Sequence, residues 1–173
     1  MPNATALIII DVQVAMFSDA EQPHDGPGML QRIASLARRA RDAGVPVIYV
    51  QHGGDHAPFT TGTPTWQIQP DIAPLEGEPV VHKRHCDSFQ ETTLEDELAA
   101  RGIRQLVLTG MQTDFCVDTT CRRAYSLGYD VTLVSDCHST FSDEALPSAQ
   151  IVAHHNTCLR AFAKVIPSAE VAF

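Results

Sequence analysis

The chain has 173 residues, enough for one domain with a sizeable core, and its 44% hydrophobic and 19% charged content is ordinary for a globular protein in water. A formal net charge of −9 with no basic stripe to offset it argues against nucleic acid as a partner. The longest apolar runs are strand-sized, which excludes a helical membrane span, and residues 1–15 show no export signal, so a cytoplasmic location is expected.

Residues Ala4 to Ile10 form the first apolar run, ending at Asp11, and a turn-rich segment follows from Ser18 to Gly28. Met29 to Ala43 places Leu30, Ile33, Leu36, Ala37 and Ala40 at helical spacing, with Gly44 as its stop and a second strand over Val45 to Val50. Gln51 to Gly77 is a long segment rich in Gly, Pro, His and Thr that holds the single Trp66, and a connection of this length is usually functional or disordered. Val80-Val81-His82 predicts a short third strand leading into Lys83, and Gln90 to Arg101 an amphipathic helix stopped by Gly102. Leu106 to Thr109 is the fourth strand, and Gly110 breaks it. Thr113 or Asp114 can cap a helix running from about Asp114 to Leu127. Val131 to Val134 is the fifth strand, Asp143 to Ala163 a final long helix, and Lys164 to Ile166 a sixth, edge strand.

Strands alternate with helices and no linker or repeat divides the chain. The expectation is therefore one domain over residues 1–173, a three-layer α/β/α architecture on a mostly parallel, six-stranded, Rossmann-like sheet. The five cysteines, an odd number without a C-x-x-C pair, read as reduced thiols and not as a disulfide framework.

Open parallel sheets bind ligands beyond the carboxyl ends of their strands, which turns strand ends into a filter. Asp11 ends the first strand, Lys83 the third, and Cys116 follows the fourth at the start of a helix, where the dipole favours a thiolate. Alone, such an Asp is more often a turn or cap residue, such a Lys a solvated charge, and such a Cys inert. Together they supply a base, a cation and a nucleophile, the inventory for acyl transfer through a thioester.

The pieces I-I-I-D-V-Q at Ile8 to Gln13, V-V-H-K at Val80 to Lys83 and G-M-Q-T-D-F-C-V at Gly110 to Val117 resemble the isochorismatase-like cysteine hydrolases, a superfamily that includes nicotinamidases and N-carbamoyl amidohydrolases. The resemblance covers nearly the whole chain. It implies a triad of Cys116 as nucleophile, Asp11 as general base and Lys83 as the orienting cation. It also implies a non-proline cis peptide between Met111 and Gln112, and an oxyanion hole made by the backbone N–H groups of Gln112 and Cys116. Dimeric or tetrameric assembly is carried by the resemblance alone.

Nicotinamidases in this superfamily carry a D-x-H metal motif after the second strand, whereas Gln51 to Gly54 reads Q-H-G-G, so no metal and no other cofactor is expected. His52 and His56 span a Gly-Gly loop and His82 is expected to pack, which leaves no ligand set of helical spacing. Proposed substrate walls are Phe17, Trp66, Phe89, Phe115 and His138, with the Gln112 side chain, although Phe17 and Phe89 could equally bury in the core. Cys86 reads as a buried filler.

The first reading is a cysteine-dependent hydrolase cleaving a C–N (amide or ureido) bond of a small-molecule substrate. The alternatives are an isochorismate-type vinyl-ether hydrolase, which does not need the cysteine, and a non-catalytic thiol redox or binding module.

Overall fold

The computed structural model describes residues 4–17 and 21–173, so Ser18, Asp19 and Ala20 of the expected turn-rich segment lie outside the described residues. Six strands, β1 (Thr5–Ile10), β2 (Val47–His52), β3 (Val80–Lys83), β4 (Gln105–Met111), β5 (Asp130–Ser139) and β6 (Lys164–Ile166), form one sheet in the order β3-β2-β1-β4-β5-β6. Every pairing is parallel, which sharpens the expected mostly parallel sheet to a wholly parallel one.

A strand buried on both faces reads as a continuous apolar run, and β1 shows why. Ala6, Ile8 and Ile10 point into one cluster with Val81, Leu94, Leu98, Val117 and Cys121. Leu7 and Ile9 point into the opposite cluster with Met29, Ile33, Leu36 and Ala40. The second cluster lies under α1 (Gly26–Asp42), and the first under α2 (Leu94–Ala100) and α3 (Asp118–Ser126), which gives the three layers. α1 begins with a proline in its first turn, where a missing N–H costs nothing, and stops before Gly44 at φ 70°.

Several elements differ from expectation, two of them for reasons that lie in side chains, and β4 runs on through Gly110 to Met111. α2 starts at Leu94 because Asp87 and Thr92 turn the preceding backbone instead: the Asp87 Oδ1 accepts from the Phe89 N–H at 2.8 Å, and the Thr92 hydroxyl donates to the Ser88 carbonyl at 2.6 Å. α4 (Ser148–Cys158) likewise waits until after Asp143, whose Oδ1 accepts the N–H groups of Ala145 and Leu146, and after Pro147. β5 runs on past Ser135 and Asp136, to where His138 and Ser139 pair with Gly110 and Met111 of β4 beyond a bulge.

The long segment after β2 is tied to the exit of β1. The N–H groups of Val14, Ala15 and Gln69 donate to the carbonyls of Gln67, Thr65 and Val12. The Gln13 side chain closes the arrangement, donating to the carbonyls of His52 and Trp66 at 2.9 and 2.7 Å while accepting from the His52 N–H at 3.0 Å. Among the described residues no helix is long and apolar enough to cross a membrane.

Candidate active site

β1 and β4 are neighbours, but the chain leaves β1 for β2 on one side and leaves β4 for β5 on the other. The crevice between their carboxyl ends is therefore the topological switch point. Gly110 allows the two strands to meet there. Its φ is 125°, and a Cβ at that position would collide with the Ile10 carbonyl oxygen.

Asp11 leaves β1 with φ 51° and donates its N–H to the Val50 carbonyl at 2.9 Å. Lys83 ends β3, two strands away, and extends over His52, its register partner at the end of β2. Its Nζ lies 2.6 Å from Asp11 Oδ2 and 3.2 Å from Cys116 Sγ. The same ammonium donates to the His85 carbonyl at 2.9 Å and meets His52 Nδ1 at 3.3 Å. Both charged side chains are 0% exposed, so solvent does not screen their attraction. The structure thus brings Asp11, Lys83 and Cys116 into one contact although they are far apart in sequence.

Electrostatics set the resting protonation. Burial pushes the Lys83 pKa down, but the Asp11 charge and the contact with Cys116 push it further up, and the net direction is upward: the group is an ammonium. The Cys116 thiol is pushed up, first by burial and then by the Asp11 charge, with Lys83 only partly compensating. The expectation of a thiolate held by a helix dipole is therefore corrected. Cys116 sits in a π-helical turn, Thr113–Val117, before α3 begins, and beside a carboxylate whose charge outweighs that of a helix end. That upward direction favours the thiol over the thiolate. The Asp11 carboxylate is buried and faces both the Lys83 ammonium and the Cys116 thiol, which places it to receive that proton.

The expected helix caps are also occupied elsewhere. The Thr113 hydroxyl meets His138 Nδ1 at 2.8 Å, and Asp114 accepts from the Thr140 hydroxyl at 2.5 Å, so both side chains fasten the nucleophile turn to β5 and the segment after it. The Met111–Gln112 peptide is cis, and the Gln112 carbonyl accepts from the N–H groups of Phe115 and Val117 at 3.2 and 3.0 Å.

A cavity of about 200 Å³ opens over the sulfur, walled by Met16, His52, Phe59, Cys86, Gln112 and Phe115. Gln112 and Phe115 are thus where the sequence places them, and Phe115 stays 52% exposed. Four other expected walls lie away from it. Phe17 packs in the cluster under α1. Phe89 is 8% exposed and stacks on Tyr129 at 5.8 Å, because the turn after Lys83 points it inward. His138 is buried against Thr113 and Asn156 and supports the nucleophile turn from behind. Trp66 stacks on His82 at 5.4 Å beside a second cavity of about 290 Å³, on another side of Lys83, that also borders Gly53, Arg84, His85 and Glu91.

His52, Phe59 and Met16 are residues that sequence reasoning does not single out as walls. The only signal for His52 is its place at the strand end beside Lys83. Cys86, expected as filler, is exposed. His82 is exposed on Trp66 and not packed in the core, His56 is exposed, and His85 pairs with Glu91 at 3.1 Å. Among the described residues no three His, Cys, Asp or Glu side chains gather as a metal site.

Comparison with known proteins places this arrangement. A streptothricin hydrolase of Streptomyces noursei is 36% identical over 143 residues, 82% of this chain and 52% of its own length, and a second is 35% identical over 57% of its length. The chain thus spans a little over half of those two relatives. A ureidoacrylate amidohydrolase of Variovorax paradoxus is 30% identical over 85% of this chain and 73% of its own length. Among solved structures, an isochorismatase hydrolase from Oleispira antarctica superposes with a TM-score of 0.89 at 34% identity, covering 98% of this chain and 96% of its own. An isochorismatase from Pseudomonas putida KT2440 gives 0.89 at 33%, covering 98% and 90%. The isochorismatase domain model matches residues 5–170, from the first strand to the last turn, and with it the chain is shown to belong to the isochorismatase family.

Proposed function

We propose that the chain hydrolyses a C–N bond, amide or ureido, of a small molecule through a thioester on Cys116. The observation that carries this is the buried contact of Lys83 Nζ with both Asp11 Oδ2 and Cys116 Sγ at the switch point. The names of the streptothricin hydrolase and ureidoacrylate amidohydrolase relatives support the bond class.

Asp11 takes the thiol proton as the sulfur attacks the carbonyl carbon, and Lys83 balances the charge that results. The tetrahedral oxyanion is received by the backbone N–H groups of Gln112 and Cys116. The C–N bond then breaks, and Asp11 returns the proton to the departing nitrogen. Water, deprotonated by Asp11, attacks the thioester carbon, and the sulfur leaves and regains its proton. A thiol beside a buried carboxylate suits this order of events better than a preformed thiolate would.

The test is an amide and ureide panel assayed for ammonia release with wild type and Cys116→Ala side by side, together with mass spectrometry of quenched turnover. Turnover by wild type alone, with an acyl group mapped to Cys116, is the expected result. A Cys116→Ala protein that still turns over would rule the mechanism out.

A further inference from the structure

The cavity over Cys116 holds one polar side chain whose state the geometry fixes. His52 Nδ1 faces the Lys83 ammonium at 3.3 Å, and an ammonium has hydrogens to give and no lone pair to offer. An N–H at Nδ1 would be repelled by that ammonium, so Nδ1 presents its lone pair, and the neutral ring carries its proton on Nε2. Gln13 Oε1 holds the His52 backbone N–H at 3.0 Å, and Phe59 meets the ring edge to face at 5.5 Å. A histidine so placed is a fixed donor with its acceptor already used.

The rest of the wall sets the charge. Met16, Phe59 and Phe115 are apolar, Gln112 and Cys86 offer no cation, and Asp11 is matched by Lys83. Lys83 cannot serve a second anion, because its three hydrogens already face four acceptors: Asp11, Cys116, the His85 carbonyl and His52. The next cation, Arg84, is exposed, lies outside this cavity on one that meets it at His52 and Phe59, and pairs with Asp55 at 3.7 Å. A carboxylate entering the cavity would lose its water beside Asp11 without gaining a partner of opposite charge.

We infer that the substrate is an uncharged amide or ureide bearing an apolar substituent, and that His52 selects it by donating Nε2–H to a neutral oxygen or nitrogen acceptor. This rests on Cys116 being the nucleophile, and it adds the substrate class and the residue that reads it.

Iodoacetamide and iodoacetate form a matched pair of probes, one neutral and one anionic, that need no knowledge of the natural substrate. Each alkylates sulfur with loss of iodide, and peptide mapping separates Cys116 from the exposed Cys86. The ratio of the amide rate to the acetate rate at Cys116 should exceed that of a free model thiol by roughly tenfold. His52→Leu should slow the amide by roughly tenfold, while the acetate, kept out by its charge beside Asp11, stays slow. His52→Asn, which can accept from Lys83 and still donate into the cavity, should restore the amide rate to within about threefold. A ratio equal to the model thiol's, or identical behaviour of the Leu and Asn variants, would overturn the inference while leaving the nucleophile in place. A Cys116 inert to both reagents would overturn the nucleophile assignment, and this inference with it.

Discussion

Asp11→Asn isolates the energetics of the buried ion pair. Two unit charges 2.6 Å apart attract by about 6 kcal/mol at an effective dielectric of about 20, and both side chains are fully buried. Part of that attraction repays the cost of removing two ions from water, so the loss on deleting one partner is expected at ~3–5 kcal/mol. The variant strands an ammonium that keeps only Cys116, the His85 carbonyl and His52 as acceptors. The sign with pH follows from Lys83. In the wild type its pKa is raised: burial lowers it, but Asp11 and Cys116 raise it more. The stability it contributes is thus complete below the ordinary lysine value and is lost as pH climbs through the raised one. In the variant burial is no longer outweighed, and Lys83 can shed its proton inside the fold at lower pH. The gap between the two proteins should therefore be widest near pH 7 and shrink toward pH 10. Urea unfolding followed by circular dichroism at pH 7, 8, 9 and 10 measures it. A gap under about 1 kcal/mol at pH 7, or one that widens with pH, would refute the view that this pair is a desolvated, mutually dependent unit.

Gly110→Ala should cost at least ~3 kcal/mol and abolish any turnover, because a side chain there is strained at φ 125° and meets the Ile10 carbonyl; thermal unfolding checks it. Phe89→Ala should destabilise by ~3–5 kcal/mol as a core truncation, with Cys116 alkylation per folded molecule unchanged, whereas a changed alkylation rate would return Phe89 to the pocket wall. His138 has its pKa pushed down to about 4 by burial, despite the hydrogen bond to Asn156. The unfolded chain therefore binds this proton first, and the wild type should lose up to about 3 kcal/mol as pH falls from 6.5 to 4. His138→Gln should show a shallower decline in urea midpoints over that window.

The sheet is legible in the sequence because each parallel strand must be apolar on both faces, and runs such as Leu7 to Ile10 have no other economical fate. The far half of β5 escapes notice for the opposite reason. Ser135, Asp136, His138 and Ser139 look like loop residues until their partners are known: Asn156, Ser168, Thr113 and the His24 carbonyl. At the site, strand ends alone bring Asp11, Lys83 and Cys116 to one rim. What sequence cannot give is the direction a side chain takes in the first turn beyond a strand, which is why Phe89 turns inward while Cys86, three residues from Lys83, stays exposed. The protonation of Cys116 is hidden for a related reason. It depends on the distance to a carboxylate more than a hundred residues away, not on the local helix start.

Among the described residues the Gln13 amide hydrogen-bonds only to backbone groups, the N–H and carbonyl of His52 and the carbonyl of Trp66. An anchor that recognises main chain is indifferent to which amino acids decorate the segment it grips. Chimaeras in which the stretch between β2 and β3 is exchanged for a relative's should therefore seat correctly as long as Gln13 is kept. Selectivity can then be rewritten on that segment without disturbing the carboxylate two residues upstream.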